Sequence, residues 1–161
     1  MGGGGSRIRL SRVAVENALS AIHITPVNPA SQGYFELVNA DRSLASTSTD
    51  CLSTEARGNA DTSTRWTLLP GGEGDFLIAP AGSQLALGVE TSPDGLLTVS
   101  VNPNAGSYSQ RWMIGNQGDG TFTITNRATG VLLSAPSNPS GCIAVESGRH
   151  SQNLAWTFIA H

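Results

Sequence analysis

Two groups of polar residues lie in stretches rich in turn-forming residues and carry side chains suited to a polyhydroxylated ligand. Each group combines a carboxylate with side-chain amides, which can form paired hydrogen bonds with neighbouring hydroxyls, and an aromatic side chain can cover an apolar C–H patch. The first group is Asp94, Asn102, Tyr108 and Gln110, and the second is Asn138, Glu146 and Asn153. The alternative interpretation is ordinary polar loop surface, which a chain with only 13% charged residues needs in any case.

The sequence predicts no enzyme active site. The acidic residues are scattered, without the recognisable pairing of a glycosidase, and no Gly-x-Ser-x-Gly elbow is present. The three histidines, His23, His150 and His161, have no spacing typical of a metal site. The glycine-rich stretch 71–74 lacks a following Lys-Ser/Thr and therefore predicts a hairpin turn, not a phosphate-binding loop. We expect a non-catalytic chain that binds neither a cofactor nor a metal.

Composition restricts the class of protein further. A length of 161 residues suits one domain, and 19 glycines with eight prolines favour short strands joined by turns. A net charge of -3 without a basic run argues against a nucleic-acid partner. No apolar run approaches the roughly 18 residues of a membrane-spanning helix. We expect a chain without nucleic-acid partners or a membrane span.

Three tryptophans divide the chain into repeated blocks. Trp66, Trp112 and Trp156 lie 46 and 44 residues apart. Each block opens with Gly-x-Phe followed by an apolar residue two positions later, the alternation of a strand with one buried face. A second short apolar segment, a third strand and the tryptophan-bearing strand follow. The blocks, 33–70, 71–116 and 117–161, predict twelve strands that share one core with pseudo-threefold symmetry, because no block buries its apolar face alone.

The aromatic residues at matching places in the three blocks are the predicted layers of the shared core. They are Phe35, Phe76 and Phe122 at the first strands, and Trp66, Trp112 and Trp156 at the fourth.

The first 32 residues stand outside the repeats. Residues 1–6 have the composition of a flexible linker introduced by cloning. Within the extension 7–32, the sequence predicts a short helix over 13–22 and a strand-like alternation at 22–24. The extension is interpreted as a tether to an upstream domain or as a strand packed on the side of the repeats.

The repeated blocks resemble the ricin-B-type β-trefoil family, whose members carry a Gln-x-Trp motif near the end of each block. Gln110-Arg111-Trp112 matches this motif, whereas Thr64-Arg65-Trp66 and Leu154-Ala155-Trp156 keep only the tryptophan. The resemblance covers 33–161 and implies an all-β trefoil fold. It also implies a secreted, extracellular lectin or carbohydrate-binding module, often attached to a glycosidase or toxin, whose partner is a glycan or polysaccharide.

The family's sugar site combines an Asp near the second strand, an aromatic residue on the third strand and an Asn-Gln pair before the tryptophan. No acid stands at the Asp position of any block, and the third-strand positions near Ser100 and Ala144 are not aromatic. Gln110 fills its place, and Asn153 is in register with the Asn. The family's ordinary site is therefore intact in no block. The sugar site that we expect lies instead in the loops, among the seven residues named at the outset, with a structural role for Gln110 in fixing its neighbouring loop as the alternative.

Departure from the family's sugar pattern leaves two other functions open. One is recognition of a protein, including inhibition of a protease, through an exposed loop such as 91–95 or 134–141. The other is a structural domain that docks an upstream catalytic unit.

The two cysteines, Cys51 and Cys142, open the third strands of the first and third blocks. Equivalent places in different lobes of a threefold fold bond only if the fold brings them together. We expect two free, largely buried thiols.

Overall fold

The computed structural model describes residues 12–22, 24, 33–46, 51–57, 62–148 and 151–161. The described residues form one α-helix and twelve strands, four in each predicted block, which confirms the all-β trefoil. The strands are β1 (Phe35–Asn39), β2 (Arg42–Ala45), β3 (Ser53–Ala56), β4 (Trp66–Pro70), β5 (Phe76–Pro80), β6 (Leu85–Thr91), β7 (Leu97–Pro103), β8 (Trp112–Asn116), β9 (Phe122–Asn126), β10 (Leu132–Ser134), β11 (Ala144–Glu146) and β12 (Thr157–Ala160).

The first and fourth strands of the three repeats form a closed barrel. Each strand pairs antiparallel with its neighbours in the order β1, β4, β5, β8, β9, and β12 pairs with β1. The last gap is closed by Phe122 and Trp156, whose backbones exchange hydrogen bonds of 2.7 and 2.8 Å. Closure leaves no unpaired barrel edge.

The second and third strands form three hairpins, each fastened to the barrel by a tryptophan. The indole Nε1 of Trp66, Trp112 and Trp156 donates to a backbone carbonyl in β2, β6 and β10, at 2.9, 2.9 and 3.1 Å. The acceptors are Leu44, Leu87 and Leu133. All three tryptophans are 0% exposed, so this bond gives each buried indole the polar partner that it needs.

The predicted aromatic layers are confirmed. Phe35, Phe76 and Phe122 are buried, and each lies opposite the tryptophan that follows it in the sequence. Phe158 adds edge-on contacts to Phe35 and Phe122, with ring centroids 6.4 and 5.4 Å apart. The core therefore sits inside the barrel, where the three repeats meet.

The described part of the N-terminal extension packs on this core. The predicted helix is present as α1 (Arg12–Ala21). Leu19 and Ile24 are buried in the core, and Ile24 N donates to Leu19 O at 2.9 Å. The predicted strand at 22–24 is wrong at the described positions, because Ile22 lies in the turn that ends the helix and Ile24 is in no strand. The linker 1–6 and the rest of 7–32 lie outside the described residues.

The prediction of free, buried thiols is wrong. Cys51 and Cys142 form a disulfide with Cα atoms 5.6 Å apart, and Cys142 is exposed. Next to the bond, Ile143 N donates to Leu52 O at 2.7 Å. The hydrogen bond shows that the threefold arrangement places the starts of these third strands side by side, which the spacing of the cysteines along the sequence does not reveal.

A buried carboxylate, Glu36, ties β1 to the end of the chain. It accepts hydrogen bonds from Ser43 Oγ and His161 Nε2, each at 2.5 Å. The guanidinium groups of Arg57 and Arg65 lie 3.6 and 3.8 Å away. Burial raises the pKa of Glu36, but the hydrogen bonds from Ser43 and His161 and the charges of His161 and Arg57 outweigh it, so the pKa lies below its usual value of 4.5.

Acid should therefore destabilise the fold through Glu36. Because the folded-state pKa lies below the unfolded value, the ionised carboxylate stabilises the fold above that value, and this contribution is lost as the pH falls through the folded pKa. A Glu36→Gln variant should lose less stability than the parent between about pH 5 and about pH 3. Denaturant unfolding at several pH values measures this difference, and parallel curves for the two proteins would contradict it.

Candidate functional site

Each repeat contains the same group of elements, here called a lobe. A lobe consists of the hairpin formed by the second and third strands of the repeat and the short 3-10 turn that precedes its tryptophan. The turns are Thr62–Thr64, Tyr108–Gln110 and Gln152–Leu154. The residue after each tryptophan-binding leucine is Ala45, Gly88 or Ser134, paired with Ser53, Ser100 or Ala144 of the third strand. These register positions allow the three lobes to be compared side chain by side chain.

Lobe three brings four polar side chains together. Ser134 Oγ donates to Glu146 Oε2 at 2.7 Å, and Asn153 Nδ2 donates to Ser137 Oγ at 3.2 Å. The two pairs are adjacent because Ala135 N donates to Asn153 O at 2.9 Å, which holds the 3-10 turn against the end of β10. We call these four residues, Ser134, Ser137, Glu146 and Asn153, the lobe-three cluster.

The 3-10 turn that carries Asn153 is held in place by hydrogen bonds from β1. Asn39 Nδ2 donates to the carbonyls of Gln152 and Ala155 at 2.7 and 2.8 Å, so β1 fixes the turn that carries Asn153. No described residue donates a hydrogen bond to Glu146 Oε1 or Asn153 Oδ1. The cluster therefore offers two fixed acceptors and the amide of Asn153 at a surface where Glu146 is exposed.

Asn138 lies in the loop between β10 and β11 and shapes that loop. Its Oδ1 accepts hydrogen bonds from Ser140 N at 2.9 Å and Ser140 Oγ at 2.8 Å. This is an Asx turn, in which the side chain replaces a backbone acceptor. The oxygen of Asn138 is thus committed to the loop, and only its amide nitrogen is left for a ligand.

Gln110 occupies a structural position in lobe two. It is buried, its Oε1 accepts from Ala105 N at 2.9 Å, and its Nε2 donates to Pro103 O at 3.0 Å and Asn102 O at 3.3 Å. These bonds are those expected of an amide that ties down the neighbouring loop. Gly88 is part of this packing, because an added Cβ would lie 3.0 Å from Gln110 Cγ.

The remaining residues of the first predicted group are not brought together. Asn102 lies near the end of β7, where its Nδ2 donates to Ser100 Oγ at 2.9 Å. Asp94 lies in the turn of the β6–β7 hairpin, beyond Thr91, whereas Asn102 pairs with Ala86. Five residues of extended strand span about 17 Å, so Asp94 cannot share a small ligand with Asn102. Asp94 instead accepts a hydrogen bond from Ser92 Oγ, which lowers the pKa of its carboxyl.

The ring of Tyr108 packs against two arginines. The guanidinium carbons of Arg111 and Arg127 lie 5.1 and 5.2 Å from the ring centroid, within cation–π range. Arg111 pairs with Glu73 at 2.7 Å, and Arg127 lies 3.3 Å from the buried Asp75. Although Tyr108 is 50% exposed, its ring is engaged by this ion-pair network.

Comparison with known proteins identifies the family. The model of the ricin-type beta-trefoil lectin domain-like family matches residues 62–145, just over half of the chain. The chain belongs to this family. No curated protein was found to match the sequence.

Solved structures share the ricin-type fold at low sequence identity. ThreeFoil, a designed threefold symmetric protein, is 21% identical with a TM-score of 0.70, over 80% of this chain and 99% of its own. An exo-beta-1,3-galactanase from Clostridium thermocellum is 23% identical with a TM-score of 0.68, over 82% of this chain and 31% of its own. A Polyporus squamosus lectin bound to a human-type influenza-binding epitope is 15% identical with a TM-score of 0.66, over 81% and 50%. This chain thus spans about a third of the galactanase and half of the lectin.

Sequence reasoning missed two of the four residues of this ricin-type chain's lobe-three cluster. Ser134 and Ser137 follow the apolar run of β10 and gave no signal of their own. The position of Ser134 in the repeat could have indicated it, because Ser134 directly follows Leu133, whose carbonyl accepts the hydrogen bond from Trp156. Among the described residues, no group of three or more His, Cys, Asp or Glu is placed to hold a metal, and no helix is long and apolar enough to cross a membrane.

Proposed function

We propose that this chain is a non-catalytic glycan-binding module whose site is the lobe-three cluster. The observation that carries the proposal is the arrangement of two hydrogen-bonded pairs, Ser134–Glu146 and Ser137–Asn153, which the bond from Ala135 N to Asn153 O places next to each other. Within these pairs, Glu146 Oε1 and Asn153 Oδ1 accept hydrogen bonds from no described residue. A carboxylate beside an amide accepts hydrogen bonds from two neighbouring hydroxyls and returns one from the amide nitrogen. That is the hydrogen-bonding pattern of a vicinal diol.

Membership of the ricin-type family supports this proposal, as does the lectin among the structural neighbours. The lobe-three cluster contains no aromatic side chain, so its affinity for a single sugar should be low, because bonds to water are exchanged for bonds to sugar almost evenly. Useful affinity would then come from several sites on one glycan. We also propose that the chain is attached to an upstream domain, in line with the longer galactanase that contains a similar fold.

Replacing Glu146 should weaken glycan binding more than any other single change in the cluster. A glycan array identifies a ligand, and titration calorimetry then measures the Kd. Glu146→Ala should raise the Kd by about 10- to 100-fold, the loss of a hydrogen bond to a charged group. Asn153→Ala should raise it by about 3- to 10-fold, the loss of a neutral hydrogen bond.

Controls for this prediction come from lobe two. Asn102→Ala and Asp94→Ala alter predicted site residues outside the lobe-three cluster and should leave the Kd unchanged. Gln110→Ala is unsuitable as a control because it removes contacts that hold the 102–107 loop. Silence across the array would refute the glycan proposal, and a Kd unaffected by Glu146→Ala would refute its placement in lobe three.

A second candidate function, recognition of a protein, is favoured by the β6–β7 hairpin. Its strands have seven residues each, against four and three in the other two hairpins. At its tip Leu96 is 63% exposed, and Ser92 fixes the turn by accepting from Leu96 N at 3.2 Å and, through its backbone, from Gly95 N at 2.8 Å. A rigid turn with an exposed leucine suits insertion into a partner's pocket.

If the tip inhibits a protease, the protein should slow substrate cleavage by at least one member of a panel of secreted serine and cysteine proteases. A Leu96→Ser variant should lose that inhibition by about tenfold or more, because a central apolar anchor contributes most of such an interface. Glu146→Ala, at the other candidate site, is the matched control and should inhibit normally. Full activity of every protease in the presence of the parent protein would remove this candidate.

We further propose an extracellular location. The disulfide supports it, because such bonds persist mainly in oxidising compartments. A thiol assay on protein recovered from its native source tests the proposal: the bond should be intact in the secreted fraction, and a fully reduced intracellular pool would contradict it.

A further inference from the structure

A cavity lined by both polar and apolar residues lies beside the 3-10 turn that carries Asn153. It has a volume of about 310 Å³ and is open to solvent. One wall is the turn between β8 and β9, and the other is the Gln152–Leu154 turn with its flanking residues. Its polar lining consists of Gln117, Asp119, Thr121, Thr123, Ser151 and Gln152.

Both walls of the cavity are fixed by hydrogen bonds to the backbone, which leave the side chains of Gln152 and Ser151 uninvolved. In the β8–β9 turn, Gly118 N donates to Asn116 Oδ1 at 2.7 Å, and Gln117 N donates to Thr121 O at 2.9 Å. Across the cavity, Asn39 holds the carbonyls of Gln152 and Ala155. A ligand would therefore enter a shaped site without ordering either wall, which lowers the entropic cost of binding.

The lining offers donors and acceptors together. No described residue forms a hydrogen bond with the side-chain amide of Gln152 or the hydroxyl of Ser151. Gln117 Nε2 donates to Thr123 Oγ1 at 3.3 Å, whereas its Oε1 accepts from no described residue and can accept from a ligand. Amides and hydroxyls that both donate and accept match the hydroxyls of a polyol, which also do both.

The charges of the described lining residues disfavour an ionic ligand. The described lining residues include no Lys, Arg or His, so none of them supplies a positive charge to an anion. Its one carboxylate, Asp119, already accepts from Thr121 N at 3.1 Å and Thr121 Oγ1 at 2.6 Å, and a divalent cation needs several oxygen ligands. Leu154 and Ala155 add an apolar surface that suits the C–H face of a sugar ring. A neutral ligand is therefore favoured.

We infer that this cavity is a second saccharide subsite that takes one neutral monosaccharide unit. The inference rests on the proposed glycan-binding function and deepens it, because the same turn presents Asn153 to the lobe-three cluster and Gln152 to the cavity. The volume lies at the lower end of the roughly 300–1,000 Å³ of small-molecule sites, which fits one sugar ring.

The test is an NMR titration of ¹⁵N-labelled protein with glucose, galactose, mannose and N-acetylglucosamine. At least one sugar should cause saturable shifts in the amides of Gly118, Thr121 and Ala155, which surround the cavity. Gln152→Ala should raise the Kd of this response by about 3- to 10-fold, as should Thr123→Val, since each removes one neutral hydrogen-bonding group. Asn102→Ala, which alters a side-chain amide outside both the cavity lining and the lobe-three cluster, is the matched control and should leave that Kd unchanged.

The outcomes separate the subsite from the proposed function. Shifts confined to Ala135 and Gly148, near the lobe-three cluster, would overturn the subsite and leave the proposed function standing. Cavity shifts that neither Gln152→Ala nor Thr123→Val weakens would also overturn the subsite. Cavity shifts alone, weakened by both variants, would support the subsite and overturn the placement of the function in lobe three. No saturable shift with any sugar would overturn both.

Discussion

Replacing Cys51 and Cys142 by serine should lower the free energy of unfolding by about 4–5 kcal/mol. The bond joins residues 91 positions apart, and closing a loop of that size removes roughly this much conformational freedom from the unfolded chain. A typical domain has only about 5–15 kcal/mol of stability in total. For a chain of this length the loss corresponds to a Tm lower by about 10–15 °C. Guanidinium chloride denaturation and calorimetry of both proteins measure these changes.

Single variants provide the internal control for this prediction. Cys51→Ser and Cys142→Ser each break the same bond, so each should destabilise about as much as the double variant. The parent protein unfolded in reductant should show the same loss. A double variant that loses less than about 1 kcal/mol would show that the bond contributes little, because the threefold fold already holds the two lobes together.

Truncating a barrel tryptophan should also cause a large loss in the free energy of unfolding. Trp112→Ala should destabilise the fold by about 3–5 kcal/mol, since it removes a fully buried aromatic side chain from the shared core. Trp112→Phe keeps most of the ring but removes the donor to Leu87 O, and leaving that buried carbonyl unpaired should cost about 1–3 kcal/mol. The two variants separate the packing contribution from the hydrogen bond.

Equilibrium unfolding, followed by the fluorescence of Trp66 and Trp156, measures both changes. Met113→Ala is the matched control, because Met113 is the next residue along β8 and is exposed. It should shift the stability by no more than about 0.5 kcal/mol. Equal losses from Trp112→Ala and Trp112→Phe would contradict the assignment of most of the energy to packing.

The sequence predicted the barrel well because its signal is local. Alternation of Phe122 and Ile124 fixes which face of β9 is buried, and the same pattern recurs in β1 and β5. The tryptophans mark the return of the chain to the barrel, so their spacing sets the repeat length. Strand ends were less accurate: a third strand expected to begin at Cys51 starts at Ser53, because the disulfide and its flanking backbone take up the first positions.

The candidate site was harder to predict because it depends on register and direction. Asp94 and Gln110 are close in sequence, yet a hairpin of seven-residue strands carries Asp94 away from the buried amide. Tyr108 has the side chain of a sugar platform, but it turns toward Arg111 and Arg127, whose position depends on β8 and β9. Conversely, Glu146 was singled out by its residue type, and Asn153 also by its register with the family's Asn-Gln pair. The contacts of Ser134 and Ser137 show how the fold groups them.

The way each hairpin is fastened to the barrel also bears on how such chains diverge. The anchoring tryptophan bonds to a main-chain carbonyl, an atom that every residue type supplies. Substitutions on the outer faces of the hairpins therefore leave the anchor intact, so the side chains of each lobe can change independently of those of the other two. The three hairpins accordingly share one anchor but differ in length and in their outward-facing side chains. The third carries a hydrogen-bonded cluster, the second is a long hairpin with a leucine at its tip, and the first is joined to the third by a disulfide.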